Sequence, residues 1–131
     1  MIVLDTHALV WWASGPERLS ARAKRAIDQS LRDGHAVAAT VSVLEIATAV
    51  RRGRLELGSP LGEWLTDLCA LPEVRFEPLS VEIAQLAGSL ADPTPGDPAD
   101  RIIIATARTL RARLVTADEG LRRSPHVETV W

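Results

Sequence analysis

MIVLDTHALVWW, residues 1–12, runs four apolar residues straight into a carboxylate, a threonine and a histidine. An unbroken apolar run of strand length is the pattern of a central strand covered on both faces, as in a parallel sheet. Four more short runs read as strands: HAVAAT (35–40), EVRFEPL (73–79), ARLVTA (112–117) and HVETVW (126–131). Between them the spacing predicts helices over roughly Thr6–Ala13, Ser20–Arg32, Ser42–Arg52, Pro60–Leu71, Ser80–Leu90 and Pro98–Arg111, with a last turn from Asp118. Strand and helix in alternation give an α/β fold: a three-layer α/β/α sandwich on a mostly parallel central sheet of about five strands. The stretch ADPTPGDPAD (91–100) reads as a loop, with Asp97 capping the next helix and Pro98 at its first position. No internal repeat or linker interrupts this pattern, so one domain over residues 1–131 is expected.

Composition narrows the setting. Apolar residues make up 47% and charged residues 24% of the 131, the balance of a globular chain able to bury a core. Cys69 is the only cysteine, which excludes an intrachain disulfide and a cysteine-based zinc cluster and fits a reducing cytoplasm. The first apolar run has no basic lead, and no stretch reaches the ~18 apolar residues of a membrane span, so neither a signal peptide nor membrane association is expected. With a net charge of −2 there is no global basic field, so a polyanion must be held locally. Lys24 is the only lysine; arginine is dense at Arg51–Arg54, Arg108–Arg113 and Arg122–Arg123. Its planar fork suits phosphate, although the same clusters also fit solvated helix faces.

In open parallel sheets, ligands bind beyond the carboxyl ends of the strands, where the strand order reverses. Asp5 stands at such an end, and Asp118 follows LVTA in the same way. Glu45 and Asp100 fall one turn into helices that leave the same edge. Each acid also fits a structural role. Ser42-Val43-Leu44-Glu45 and Thr116-Ala117-Asp118-Glu119 match the capping box, and Asp100 lies three residues after the cap Asp97. Asp100 is the least comfortable in that role, because it shares a helical stripe with Ile103, Ile104 and Ala107. Carboxylates facing apolar surroundings and one another have raised pKa values, which a divalent cation relieves. An all-oxygen set suits Mg²⁺ or Mn²⁺ better than zinc.

Taken together, LDTHALVWW (4–12), SVLEIATAVRRGRL (42–55), GDPADRIIIATAR (96–108) and LVTADEGLR (114–122) resemble the PIN-domain ribonucleases of the VapC type, the toxin half of a toxin–antitoxin pair. The resemblance spans nearly the whole chain. It implies an Mg²⁺- or Mn²⁺-dependent endoribonuclease with Asp5, Glu45, Asp100 and Asp118 as the acidic site. Thr116 is then a hydrogen-bonding neighbour of Asp118, Asp97 and Arg101 belong to the same motif as loop and helix structure, and Thr6 is a further supporting residue. It further implies a homodimer and a cognate VapB antitoxin whose C-terminal segment occupies the groove. Where relatives often carry a histidine just before Gly-Asp-Pro, this chain has Pro95, which puts the loop's geometry in question.

A response-regulator receiver needs a second acid beside Asp5 and a late lysine, and a haloacid-dehalogenase-type phosphatase needs D-x-D; DTH supplies neither. The alternative of another class is a catalytically silent PIN-like module that binds RNA or protein. His7 is expected to be structural, with substrate contact as the other reading. Trp11 and Trp12 are expected in the core or on a partner surface, with base stacking as the other reading. Trp64, on a stripe with Leu61, Leu65 and Leu68, is expected to pack.

Overall fold

The computed structural model describes residues 1–131. Its elements follow in the order β1 (Ile2–Leu4), α1 (Thr6–Ser14), α2 (Ala21–Asp33), β2 (Ala36–Ala39), α3 (Val41–Arg51), α4 (Leu61–Ala70), β3 (Val74–Glu77), α5 (Val81–Ser89), α6 (Pro98–Thr109), β4 (Arg113–Val115), α7 (Glu119–Arg122) and β5 (Thr129–Val130). Every expected strand and helix is present, but the strands are shorter than their apolar runs because pairing stops early. β5 meets β4 only through Leu114–Thr129 and Val115–Val130.

All five strands are parallel, in the order β3-β2-β1-β4-β5. β1 is therefore central and covered on both faces, which is why its sequence is continuously apolar. The two-residue period assigns its side chains to two cores. Ile2 and Leu4 pack with Ala8 and Leu9 of α1, Ala23 and Ile27 of α2, and Trp64 and Leu68 of α4. Val3 packs on the opposite face with Val37, Leu114 and the α6 residues Ile103, Ile104 and Ala107. The result is the expected three-layer sandwich. Trp64 is buried as expected, its indole N–H donating to Ser14 Oγ at 2.9 Å.

Local chemistry fixes the helix starts. Ser20 Oγ accepts from the Ala23 N–H (3.0 Å), Ser80 Oγ from Ile83 (3.1 Å) and Asp97 Oδ1 from Asp100 (3.1 Å). Each satisfies one of the donors a helix start leaves unpaired. Pro98 occupies the first turn of α6 as expected. α3 differs from expectation: it begins at Val41 after Thr40, which makes no side-chain cap, and Ser42 lies already inside the helix.

Arg101 is bound into the fold. Its guanidinium donates to Ala87 O (2.7 Å) and Leu90 O (2.7 Å) at the end of α5, and to Pro95 O (3.2 Å) in the proline-rich loop. A cation at a helix C-terminus also meets the negative end of the helix dipole. One side chain thus ties α5, the loop and α6 together and sets where Asp97 and Asp100 emerge. Gly53, at φ +70°, turns the chain after α3. A side-chain-bearing residue in that left-handed conformation is disfavoured by about 1–2 kcal/mol.

Candidate active site

The strand order reverses between β1 and β4, so the chain leaves the carboxyl ends of these two strands in diverging directions. A crevice forms there. It is an open cleft of about 900 Å³, lined by Asp5, Thr6, His7, Glu45, Asp97, Asp100 and Asp118 among others.

Asp5 is the buried anchor, with only 4% of its surface exposed. Its backbone N–H extends the β1–β4 ladder to Val115 O (3.1 Å), while Oδ1 caps α1 by accepting from the Ala8 N–H (2.8 Å). Oδ2 accepts from the Thr116 hydroxyl, a fully buried group that in turn accepts from the Asp118 N–H (3.0 Å). Thr116 therefore links the ends of β1 and β4. Asp118 Oδ1 caps α7 through the Leu121 N–H (2.9 Å), so Asp118 and not Thr116 is the cap; the expected box with Glu119 does not form.

Glu45 also departs from its expected box. Its carboxylate reaches across to α1, where Thr6 Oγ1 donates to Glu45 Oε1 at 2.5 Å. Thr6 Oγ1 also lies 2.9 Å from Ser42 Oγ, and having one proton, already given to Glu45, it accepts there. Ser42 is fully buried and serves this relay, not a cap. Thr6 is thereby placed in direct contact with the acidic set.

Burial and mutual repulsion act on these acids together. Desolvation raises the Asp5 pKa, against the lowering effects of Thr116, the Ala8 N–H and His7, with Asp118 adding to the rise. Asp100, half-buried, is pushed up to about 6, first by desolvation and then by the negative charges of Asp97, Asp118, Glu45 and Asp5. No arginine neutralises them: the one ion pair of the fold, Arg75–Glu77 at 3.4 Å, lies on β3. Nor do any three of the acidic or histidine side chains already close around a common point at metal-ligand spacing.

A pH dependence follows. The folded state holds the Asp100 proton more tightly than the unfolded chain, so stability falls as pH rises from about 4 towards about 6. Asp5 acts with the same sign. In chelator, the protein is expected to melt several degrees higher at pH 5 than at pH 7, measured by thermal unfolding in matched ionic strength. A flat profile across this window would show that burial and repulsion do not raise these carboxyls as argued.

The remaining expected residues divide cleanly. Arg101 lies outside the cleft in its structural role. His7 is exposed on the cleft wall, and Trp11 lines the cleft while its neighbour Trp12 does not. Of the arginine clusters, Arg52 and Arg54 reach the cleft and those after Arg108 do not. Arg18, at the turn after α1, also lines it; nothing in its sequence surroundings points there.

A parallel sheet of this order with an acid-lined crevice at its switch point is the architecture of the PIN-domain family, and this chain belongs to that family, whose model matches residues 2–127. Over 132 residues it is 41% identical to the protein called Ribonuclease VapC22 of Mycobacterium tuberculosis (strain ATCC 25618 / H37Rv), covering 99% of this chain and 98% of that one. Among the solved structures that share the fold are two toxin–antitoxin complexes. One is VapBC2 from Rickettsia felis bound to a DNA fragment from its promoter, with a TM-score of 0.71 at 14% identity over 98% of this chain and 97% of that one. The other is a toxin–antitoxin complex from Klebsiella pneumoniae, with a TM-score of 0.65 at 19% identity over 97% and 95%.

Proposed function

We propose that this protein is a VapC-type toxin, an endoribonuclease that uses Mg²⁺ or Mn²⁺ and is neutralised by a cognate VapB-type antitoxin. The observation that carries the chemistry is the uncompensated acidic cleft. Asp5, Glu45, Asp100 and Asp118 face one opening, two of them with raised pKa values, and no basic side chain pairs with them. That is a donor set that fits a hard divalent cation: all oxygen, negatively charged and open. Mg²⁺ commonly takes only one or two direct carboxylates and keeps several waters, so a set not already closed around a point is suitable. The name Ribonuclease VapC22 of the 41%-identical relative supports RNA as substrate, and the toxin–antitoxin complex among the fold neighbours supports the antitoxin partner.

In this reading Asp5, Asp100, Asp118 and Glu45 hold the ion directly or through water. A divalent ion supplies Lewis-acid activation of water and neutralises charge at the phosphate, chemistry that does not require the 2′-hydroxyl. The chain's own residues supply order. Ala8 and Thr116 fix both oxygens of Asp5, and Thr6 holds Glu45. Arg18, Arg52 and Arg54 face the cleft with free guanidinium groups able to take flanking phosphates. A homodimer belongs to the same reading, and no helix is long and apolar enough to cross a membrane.

The test is cleavage of a defined RNA pool by purified, antitoxin-free protein with Mg²⁺ or Mn²⁺ and with chelator. Discrete cuts are expected that disappear in chelator. Folded protein that binds neither metal nor cuts RNA would leave a silent PIN-like binding module.

A further inference from the structure

Outside the cleft, α2 carries an excess of positive charge on a chain whose net charge is −2. Arg22, Lys24, Arg25 and Arg32 stand on it against the acids Asp28 and Asp33. Arg22, Arg25, Gln29 and Arg32 recur at helical spacing and form one stripe about 15 Å long. The opposite face of the helix, Ala23, Ala26 and Ile27, is buried in the core. All four stripe residues are exposed, and none of the three arginines joins an ion pair. Arg32 donates to Gln29 Oε1 (2.9 Å) and Gln29 Nε2 donates to Asp33 Oδ1 (3.2 Å), so the nearest acid is engaged by an amide and the guanidinium charge stays uncompensated. Topology gives the stripe its direction. α2 is capped by Ser20, two residues after the cleft-lining Arg18, and ends at Asp33, just before β2 begins at the opposite edge of the sheet. The stripe therefore starts beside the cleft and leads away from it down the outer face of the sandwich.

We infer that the Arg22–Arg25–Gln29–Arg32 stripe of α2 is a second binding surface, separate from the active site, which holds the phosphate backbone of an RNA where it leaves the cleft past Arg18. The inference rests on the ribonuclease reading above and assigns a surface to the part of a long RNA that the cleft does not reach. The chemistry of the stripe selects the partner. It has forked cationic donors and an amide but no apolar side chain, which is what sequence-independent contact to phosphates requires. A protein interface is centred on buried apolar or aromatic anchors, and the stripe offers none. Charge gives the surface a purpose. The acids of the cleft repel a polyanion, so attraction from outside the cleft has to bring the RNA to them. A rigid helix that presents three arginines in line supplies that attraction at a distance from the carboxylates.

The test compares wild type with the triple variant Arg22→Gln, Arg25→Gln, Arg32→Gln and with the corresponding triple lysine variant. Glutamine and lysine are good helix formers and all three positions are exposed, so the fold is kept. Two RNAs carry the same cut site, one a short oligonucleotide that fills only the cleft and the other extended by long flanks. Binding is read by fluorescence anisotropy in chelator over a salt series, and cleavage with Mg²⁺. The glutamine variant is expected to bind the long RNA roughly tenfold more weakly at low salt, with a log–log salt slope smaller by about two. Its KM for the long RNA rises with kcat unchanged, its kcat/KM on the short oligonucleotide stays within about twofold of wild type, and the lysine variant recovers most of the loss. Equal affinity and salt slope in wild type and the glutamine variant would overturn the surface and leave the nuclease assignment standing. An equal loss on both RNAs would overturn it too, because the substitutions would then act through the cleft. A glutamine variant that handles both RNAs as wild type does but escapes the antitoxin would overturn it in favour of a protein-docking face. A wild type that cuts no RNA, yet binds the long RNA through these arginines, would remove the ribonuclease reading and keep the surface.

Discussion

Asp5→Asn is expected to lower kcat for metal-dependent RNA cleavage on the order of 10³-fold, while the protein stays folded and melts no lower than wild type in chelator at pH 7. The two halves of this result have one cause. Asp5 is the most buried of the cleft acids, and its carboxylate is charged at a desolvation penalty that raises its pKa. Asparagine keeps the shape and the Oδ1 acceptor that caps α1 at the Ala8 N–H, and it caps helices about as well as aspartate. Its amide donates where Oδ2 accepted, and Thr116 Oγ1 has a second lone pair to receive it alongside the Asp118 N–H. The fold therefore loses a buried charge, which offsets the lost acceptor of the buried Thr116 hydroxyl proton, whereas a bound cation loses an anionic ligand. Circular dichroism and thermal melts read the first half, and single-turnover cleavage with Mg²⁺ the second. Activity within tenfold of wild type would show that Asp5 belongs to the helix cap and not to the chemistry.

Arg101→Met is the substitution with the largest expected effect on stability, about 2–3 kcal/mol, seen as a lower urea midpoint with an unchanged slope. Methionine fills much of the stem's volume but leaves Ala87 O, Leu90 O and Pro95 O without their charged donor. Water can reach some of these carbonyls, which keeps the loss below the sum of three charged hydrogen bonds. Arg101→Lys is expected to recover little, because a single ammonium cannot serve three carbonyls arranged around a planar fork. Activity should fall as well, since the clamp orients the loop that delivers Asp97 and Asp100. A urea midpoint unchanged by the methionine would mean that the loop is held by other contacts.

What was legible in the sequence follows what is local. The central strand is a short apolar run bounded by a polar residue, and α1, α2, α5, α6 and α7 each start at a Ser or Asp cap, so most of the architecture could be read directly. Asp5, Glu45, Asp100 and Asp118 could be read as one set because strand ends share an edge in a parallel sheet, and the structure brings all four to one cleft. Two local motifs misled. Ser42 with Glu45, and Thr116 with Glu119, have capping-box spacing, yet Glu45 is held by Thr6, 39 residues away, and Thr116 by Asp5, 111 residues away. Tertiary partners of that separation leave no mark in a four-residue window. Arg18 was invisible for the same reason, and choosing Trp11 over Trp12 required the orientation of α1 to be known.

The Asp5–Thr116 contact also bears on the order of synthesis. β1 is made before its partner β4 and before Asp100 and Asp118, which line the same cleft. A chain growing from its N-terminus can form α1 and pair β1 with β2 early, but closing a loop of 111 residues must await β4. Until then Asp5 has no Thr116 and faces no other acids from α6 or α7. The cleft is thus the product of a closure over 111 residues and not of any one segment, and its acids come together only once β4 lies beside β1.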